Sequence, residues 1–354
     1  MRTIRASLAL GLCALLTSCV GNIATPTSSP AATTSAPTAV PTVTASPSPT
    51  PRSLRPFERV VTIAIAGDPS YLAPDRERVA YVATSGELNV VEVATGQTKK
   101  VHAPQQGWHV DLDQHGLRGD TLVFRESRTD GQRTDERIVR LDLRSGVLTT
   151  LDDFSGPFLG GGDNWQARAP ITNGVDILWT RVDDTERPFL VSVVLVRAAA
   201  APVVLSTGSS AVWVDLEDGG RVLISTLITP DQVAELVVWR EGQRTPIATR
   251  PSADGGPAVF VAGRVFWGLG PRIARPVVQG ALIDASGRSQ TLDLGCSWFG
   301  NSARYLAIAC QGAGITLVDA QTGDRIVTAF GRHVGAFAVA WPEGPQWWLG
   351  ILPP

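Results

Sequence analysis

The chain has 354 residues, with 31 Lys+Arg against 33 Asp+Glu, and 44% of it is hydrophobic. The near-neutral balance excludes the basic surface that nucleic-acid binding requires, and the hydrophobic share excludes a wholly disordered chain.

Arg2 and Arg5 precede an apolar stretch over 8–16, and Leu16-Thr17-Ser18-Cys19 follows: a charged n-region, an h-region and a small-residue cleavage site in order. The stretch is too short to span a bilayer. Leu16-Thr17-Ser18-Cys19 resembles the lipobox of bacterial lipoproteins. The resemblance implies a signal peptide over 1–18, a diacylglycerol thioether on Cys19 and cleavage before it, and two or three acyl chains anchor stably. An ordinary secretory signal is the competing reading, and Cys13, inside the h-region, has no comparable context. In a bacterium with two membranes, Val20 beside the anchor implies no retention at the inner one. Cleavage removes Arg2 and Arg5 but no acid, leaving 29 Lys+Arg against 33 Asp+Glu. The expected location is extracytoplasmic and membrane-anchored, at the cell surface or facing the periplasm.

Residues 19–56 are rich in Pro, Thr, Ser and Ala, with almost no large apolar side chain to bury. Such a segment cannot offset its ordering entropy and reads as a disordered linker. Proline biases it toward polyproline II, so it reaches on the order of 100 Å at about 3.1 Å per residue. Thr and Ser beside Pro also suit O-glycosylation, a bare spacer being the simpler reading.

The rest, 57–354, reads as one all-β domain. Period-two runs over 78–84, 121–125 and 221–226, bounded by Gly, Asp and Pro, predict short strands. A repeat organises them: a short apolar strand, a polar residue and a glycine turn recur at 91–96, 141–146, 237–242, 282–287 and 317–323. Each closes on a glycine (Gly96, Gly146, Gly242, Gly287, Gly323), suiting a hairpin turn at positive φ. The spacings are 50, 96, 45 and 36 residues, and the doubled interval implies a unit without its glycine, filled by strands over 189–196 and 202–205. Units of about forty residues are the signature of β-propeller blades. Two strands over 336–341 and 346–351 leave the last blade short of outer strands, and a lone strand over 59–65 is expected to close the ring by pairing with them. Seven blades follow, with six as the alternative. Pro69-Ser70-Tyr71-Leu72-Ala73-Pro74-Asp75, continuing through 78–82, resembles the blade motif of TolB-type and WD-like propellers, although Arg76 replaces the usual turn glycine. That resemblance implies a binding or scaffolding platform.

Cys296 and Cys310 flank a predicted hairpin centred near Ala303, which pairs Trp298 with Ile308 and sets the two cysteines facing each other. In an oxidising compartment this suits a disulfide, with free thiols as the alternative. Trp108, Trp165, Trp213, Trp298 and Trp341 fall on predicted innermost strands. They could stack on a ligand, yet propellers also need bulky residues between blades. Asp111-Leu112-Asp113-Gln114-His115-Gly116 resembles the start of a calcium loop but lacks the later acidic ligand, so a plain turn is favoured. Arg118-Gly119-Asp120 falls in a predicted turn and carries no assigned function. The four histidines fit no zinc spacing, there is no nucleophile elbow, and Gly160-Gly161-Gly162-Asp163 lacks the lysine of a phosphate loop.

The sequence therefore predicts no catalytic residue, metal site or cofactor. It predicts a monomeric platform that binds a protein, peptide or envelope component, with candidate ligand-binding residues Trp108, Asp111, Asp163, Trp165, Trp213 and Asp215. The rival is a propeller hydrolase or lyase acting on glycans, with Asp111, Asp163 and Asp215 as the carboxylates.

Overall fold

The computed structural model describes residues 57–353, apart from 132, 158–168, 185–189, 199, 210–211, 229–232, 252–255, 270–276, 311–314 and 328–332. Cys19, Asp163 and Trp165 lie outside the described residues. Those described form strands and turns with no helix, so none is long and apolar enough to cross a membrane.

The strands fall into antiparallel sheets that follow chain order. The first sheet holds β2 (Tyr71–Pro74), β3 (Arg78–Val82), β4 (Leu88–Glu92) and β5 (Thr98–His102). In the second, β6 (His109–Asp111) and β7 (Leu117–Arg118) both pair with β8 (Thr121–Asp130), followed by β9 (Arg133–Asp142) and β10 (Leu148–Pro157). The third holds β11 (Ile171–Thr172), β12 (Ile177–Asp184), β13 (Leu190–Val196) and β14 (Val203–Ser209). The fourth holds β15 (Val212–Leu216), β16 (Val222–Ile228), β17 (Val233–Arg240) and β18 (Gln243–Pro251).

A seven-stranded sheet follows: β19 (Ala258–Val261), β20 (Arg264–Leu269), β21 (Val277–Ile283), β22 (Ser289–Asn301), β23 (Tyr305–Ala309), β24 (Ile315–Asp319) and β25 (Arg325–Val327). Here β22 belongs to two four-strand units, the fifth and the sixth, as the outer strand of one and the first strand of the other. The last sheet holds β26 (His333–Val334), β27 (Ala338–Glu343) and β28 (Gln346–Ile351), and its fourth strand comes from the other end of the domain. That strand is β1 (Arg59–Ile63), paired from Arg59 opposite Ile351 to Ile63 opposite Trp347.

Apolar residues at period two put one row on each face of a strand, and each sheet buries both rows against its neighbours. Ala80, Leu88, Leu122 and Phe124 join the first two sheets. Ile177, Trp179 and Val194 join the second and third, and Ile171, Val193, Val214 and Ile224 the third and fourth. Leu223, Phe260 and Trp267 join the fourth sheet to the fifth unit. Ile63, Leu72, Val79, Trp347 and Leu349 pack the last sheet on the first. Trp347 and its neighbour Trp348 serve opposite faces, Trp348 packing instead toward Tyr305 and Leu317 of the sixth unit. Each such buried valine, leucine, isoleucine or phenylalanine contributes about 1.5–3 kcal/mol.

The turn glycines do what the repeat requires. Gly96, Gly146, Gly242, Gly287 and Gly323 have φ between 68° and 81°. In the unit without a glycine, the β13–β14 turn holds Ala198 at φ 49°, a region that disfavours a Cβ by about 1–2 kcal/mol.

Where the first strands of the units meet, polar groups join one unit to the next. Asp75 accepts from Gly119 N at 2.9 Å, Asn173 Nδ2 donates to Glu217 O at 2.9 Å, and Asn301 Nδ2 donates to Phe260 O at 3.1 Å. The loop over 112–116, which interrupts the first strand of the second sheet, crosses to three other units, and Arg118 just beyond it reaches a fourth. His115 O accepts from Thr172 N at 2.9 Å and His115 Nε2 meets Asn301 O at 3.0 Å. Gln114 Oε1 accepts from Val334 N at 2.7 Å, and Arg118, just beyond the loop, pairs with Asp218 at 2.7 Å. Gly335 lets the last sheet approach the first closely, since a Cβ there would stand 2.0 Å from Pro74 O, and the backbone of Gln114 lies 3.3 Å from the same point. The calcium-like segment is thus a brace: Asp113 Oδ1 accepts from His115 N at 2.9 Å, and Asp111 pairs with Arg125. Among the described residues no group of three or more His, Cys, Asp or Glu could hold a metal ion. Arg118-Gly119-Asp120 is likewise engaged inside the fold, with Asp120 pairing to Arg78.

Candidate functional site

A cavity of about 430 Å³ opens between the first and second sheets. Alternation on β8 sends Phe124 into the core and leaves Arg125, Ser127 and Thr129 lining the cavity, with Glu136 and Thr134 of β9 directly opposite Ser127 and Thr129. Asp111, at the end of β6, stands opposite Arg125. Tyr71 at the start of β2 completes the cleft from the first sheet and is 40% exposed.

Arg125 holds the cleft together. Its Nε and Nη2 donate to Asp111 Oδ2 at 3.0 and 2.8 Å, and its Nη1 reaches Glu136 Oε2 at 3.5 Å. Burial would lower the guanidinium pKa, but the charges of Glu136 and Asp111 outweigh it and raise it. Burial raises the Glu136 pKa, Asp111 adds to the rise, and Arg125 opposes it. The Tyr71 phenol is raised by burial, then by the charge of Asp111 and a hydrogen bond with it. One cation between two carboxylates forms a partly buried polar surface in which Glu136 favours its protonated form more than an ordinary glutamate. Beside the cleft, His102 Nε2 meets Glu126 at 2.8 Å and its ring lies 5.1 Å from that of Phe124, tying β5 to β8.

Asp215 belongs to a different cavity, of about 410 Å³, lined by His115, Phe260, Asn301, Ser302 and Ala336 among others. The residue is 5% exposed, and its Oδ2 accepts from Phe260 N at 2.6 Å across the junction between the fourth and fifth units. Asp111 and Asp215 therefore do not converge on one ligand.

The tryptophans serve mainly as packing. Trp108 is 6% exposed, just before β6, with the guanidiniums of Arg137 and Arg128 at 4.1 and 5.0 Å from its ring centre. Trp213, on β15, packs half-buried against the cluster of Leu223, Phe260 and Trp267. Trp298 lies on the part of β22 that begins the sixth unit, opposite Ile308. Trp341 departs from the expectation: it lies on β27, the second strand of its sheet, because the first strand there is the two-residue β26, too short to show a period. Cys296 and Cys310 are joined by a disulfide with Cα atoms 5.0 Å apart, at the edge of the cluster formed by Leu294, Leu306 and Ile308.

Tyr71, Arg125 and Glu136 escaped the sequence reading. Arg125 carried the usable signal, a cation ending an apolar strand and starting a period-two polar row through Ser127 and Thr129.

No protein-family model matches the chain, and no curated protein matches it. Solved structures do. The β-propeller domain of the Trilobed protease from Pyrococcus furiosus, described as having an open velcro topology, aligns over 78% of this chain and 91% of its own, at 11% identity and TM-score 0.51. A chain of the mitotic checkpoint complex aligns over 86% and 98%, at 12% identity and TM-score 0.52. TolB from Acinetobacter baumannii aligns over 79% and 78%, at 13% identity and TM-score 0.43. At such identities the likeness to the first two concerns architecture, and with the sheet order described above it gives the chain an all-β, β-propeller fold.

Proposed function

We propose that the protein is a membrane-anchored, extracytoplasmic lipoprotein whose seven-bladed propeller, closed by β1, acts as a monomeric binding or scaffolding platform. In this reading residues 1–18 are a signal peptide, Cys19 carries the acyl chains, and 19–56 form a stalk for the domain over 57–354. Its partner is a protein, peptide or envelope component, taken up at the cleft between the first two sheets. The observation that carries the reading is the ion arrangement there: Asp111 and Glu136 are both paired to Arg125, which fits recognition better than acid and base catalysis.

The test has two parts. The Cys19→Ala full-length chain should leave the membrane fraction on a salt wash while remaining folded, and retention would refute the anchor. Photo-crosslinking from position 71 in intact membranes should trap a discrete partner that Arg125→Ala abolishes, and a smear indifferent to that change would refute the cleft.

One observation favours the rival enzyme. Glu136, half-buried beside Asp111 and with its pKa raised, has the character of a general acid. Turnover of a glycan that Glu136→Gln abolishes would establish that reading instead.

A further inference from the structure

We infer that the cleft between the first two sheets is a subsite for a neutral pyranose unit of a glycan. The inference rests on the proposal that this cleft is the ligand-binding face, and it names the ligand's chemistry.

The first argument is charge. Arg125 stands between Asp111 and Glu136 with contacts of 2.8 and 3.5 Å. A cationic ligand would compete with a guanidinium already in place, and an anionic one would meet two carboxylates. A neutral polyol meets neither penalty, and its hydroxyls both donate and accept. An ionised carboxylate offers about four acceptor sites. Arg125 donates to Asp111 Oδ2 and Glu136 Oε2, and two carboxylates together offer more acceptor sites than one guanidinium has donors, so they can also receive vicinal sugar hydroxyls.

The second argument is the lining. Around the ions stand the hydroxyls of Ser70, Thr84, Ser127, Thr129 and Thr134. Thr129 and Thr134 contact each other at 3.4 Å, at the outer limit of a hydrogen bond. A peptide's apolar side chains would find hydroxyls and ions here in place of an apolar pocket, whereas a sugar satisfies hydroxyls in kind. The third argument is Tyr71. It lines the cleft with Asp111 and stays 40% exposed, so an aromatic ring is accessible to a ligand there. An amphipathic ring so placed suits the apolar face of a pyranose.

Saturation-transfer NMR tests the inference on the full-length protein in a detergent that contains no sugar. The probes are cellobiose and chitobiose as neutral disaccharides, digalacturonate as the anionic form and the glucosamine dimer as the cationic form. A neutral disaccharide should bind with a dissociation constant in the millimolar range, tighter than both charged probes. Tyr71→Ala should weaken it about tenfold without lowering the melting temperature, and Ser127→Val should weaken it less. The inference is overturned if no neutral sugar binds, if a charged probe binds better, or if both variants bind as the wild type does.

The two levels fail separately. No sugar binding together with a cleft-dependent protein crosslink would remove the glycan and leave the platform. Cleavage of a bound sugar would uphold the ligand class and remove the non-catalytic reading.

Discussion

Asp111 and Asp215 occupy comparable places, each on the first strand of its unit, yet they have opposite fates. Asp215 is 5% exposed and holds the amide of Phe260, so its charge joins two units together. Asp111 faces a cavity, with Arg125 across from it and Tyr71 beside it. The same residue type on the first strand of its unit is a rivet in one unit and lines an open cleft in another. What separates them is the neighbour: a backbone N–H donates a single hydrogen bond to one carboxylate oxygen, whereas a guanidinium with five donors can gather two acids.

Four substitutions break or sharpen that contrast. Arg125→Ala leaves Asp111 and Glu136 facing each other without their cation, and loss of hydrogen bonds to a charged, partly buried partner costs about 1.5–3 kcal/mol. Urea unfolding should show a drop of that order at neutral pH, and a loss below about 1 kcal/mol would mean that the cleft ions are too hydrated to matter. Asp215→Ala leaves the Phe260 amide without its acceptor and should cost about 1–3 kcal/mol, with no effect on ligand binding at the cleft. An equal loss of binding would erase the distinction between the two aspartates.

Glu136→Gln tests the titration. The folded-state pKa of Glu136 lies above its ordinary 4.5, so the native state binds more protons than the unfolded chain as pH rises above that value. Stability then falls with pH over the interval between the unfolded and folded values. Wild type should lose stability relative to Glu136→Gln across that interval and run parallel to it at higher pH, and a gap that widens the other way would mean a lowered pKa. Ala198→Gly, remote from both aspartates, sets the scale for a purely conformational effect. Relief of the positive φ should raise stability by at most about 1 kcal/mol, measured as a small rise in denaturation midpoint.

Much of the architecture was legible because it is written locally. Period-two runs marked the strands, and five turn glycines marked the units, since only a residue without Cβ takes positive φ at little cost. Even the missing glycine was located, and Ala198 is found at positive φ in that gap. Features that depend on distant pairing were not legible. Tyr71 and Arg125 share a cleft though 54 positions separate them, and no local pattern links them. The 13-residue β22 runs through two units because Gly295, at φ 67°, bends it without ending it, whereas the sequence shows a turn-forming residue and suggests a break. Trp341 was placed one strand too far in because a two-residue strand has no period to read.

The brace over 112–116 also has a consequence in time. Its hydrogen bonds reach Asn301 and Val334, 186 and 220 residues further along the chain, and β1 pairs only with the last strand. Contacts so distant in sequence form late, because loop closure must precede any reward from them. A chain growing from its N-terminus will have its first two sheets present long before the partners of this loop exist, and the cleft between those sheets will mature only when the final thirty or so residues arrive. Loss of the C-terminal strands should therefore be felt first at the opposite end of the sequence.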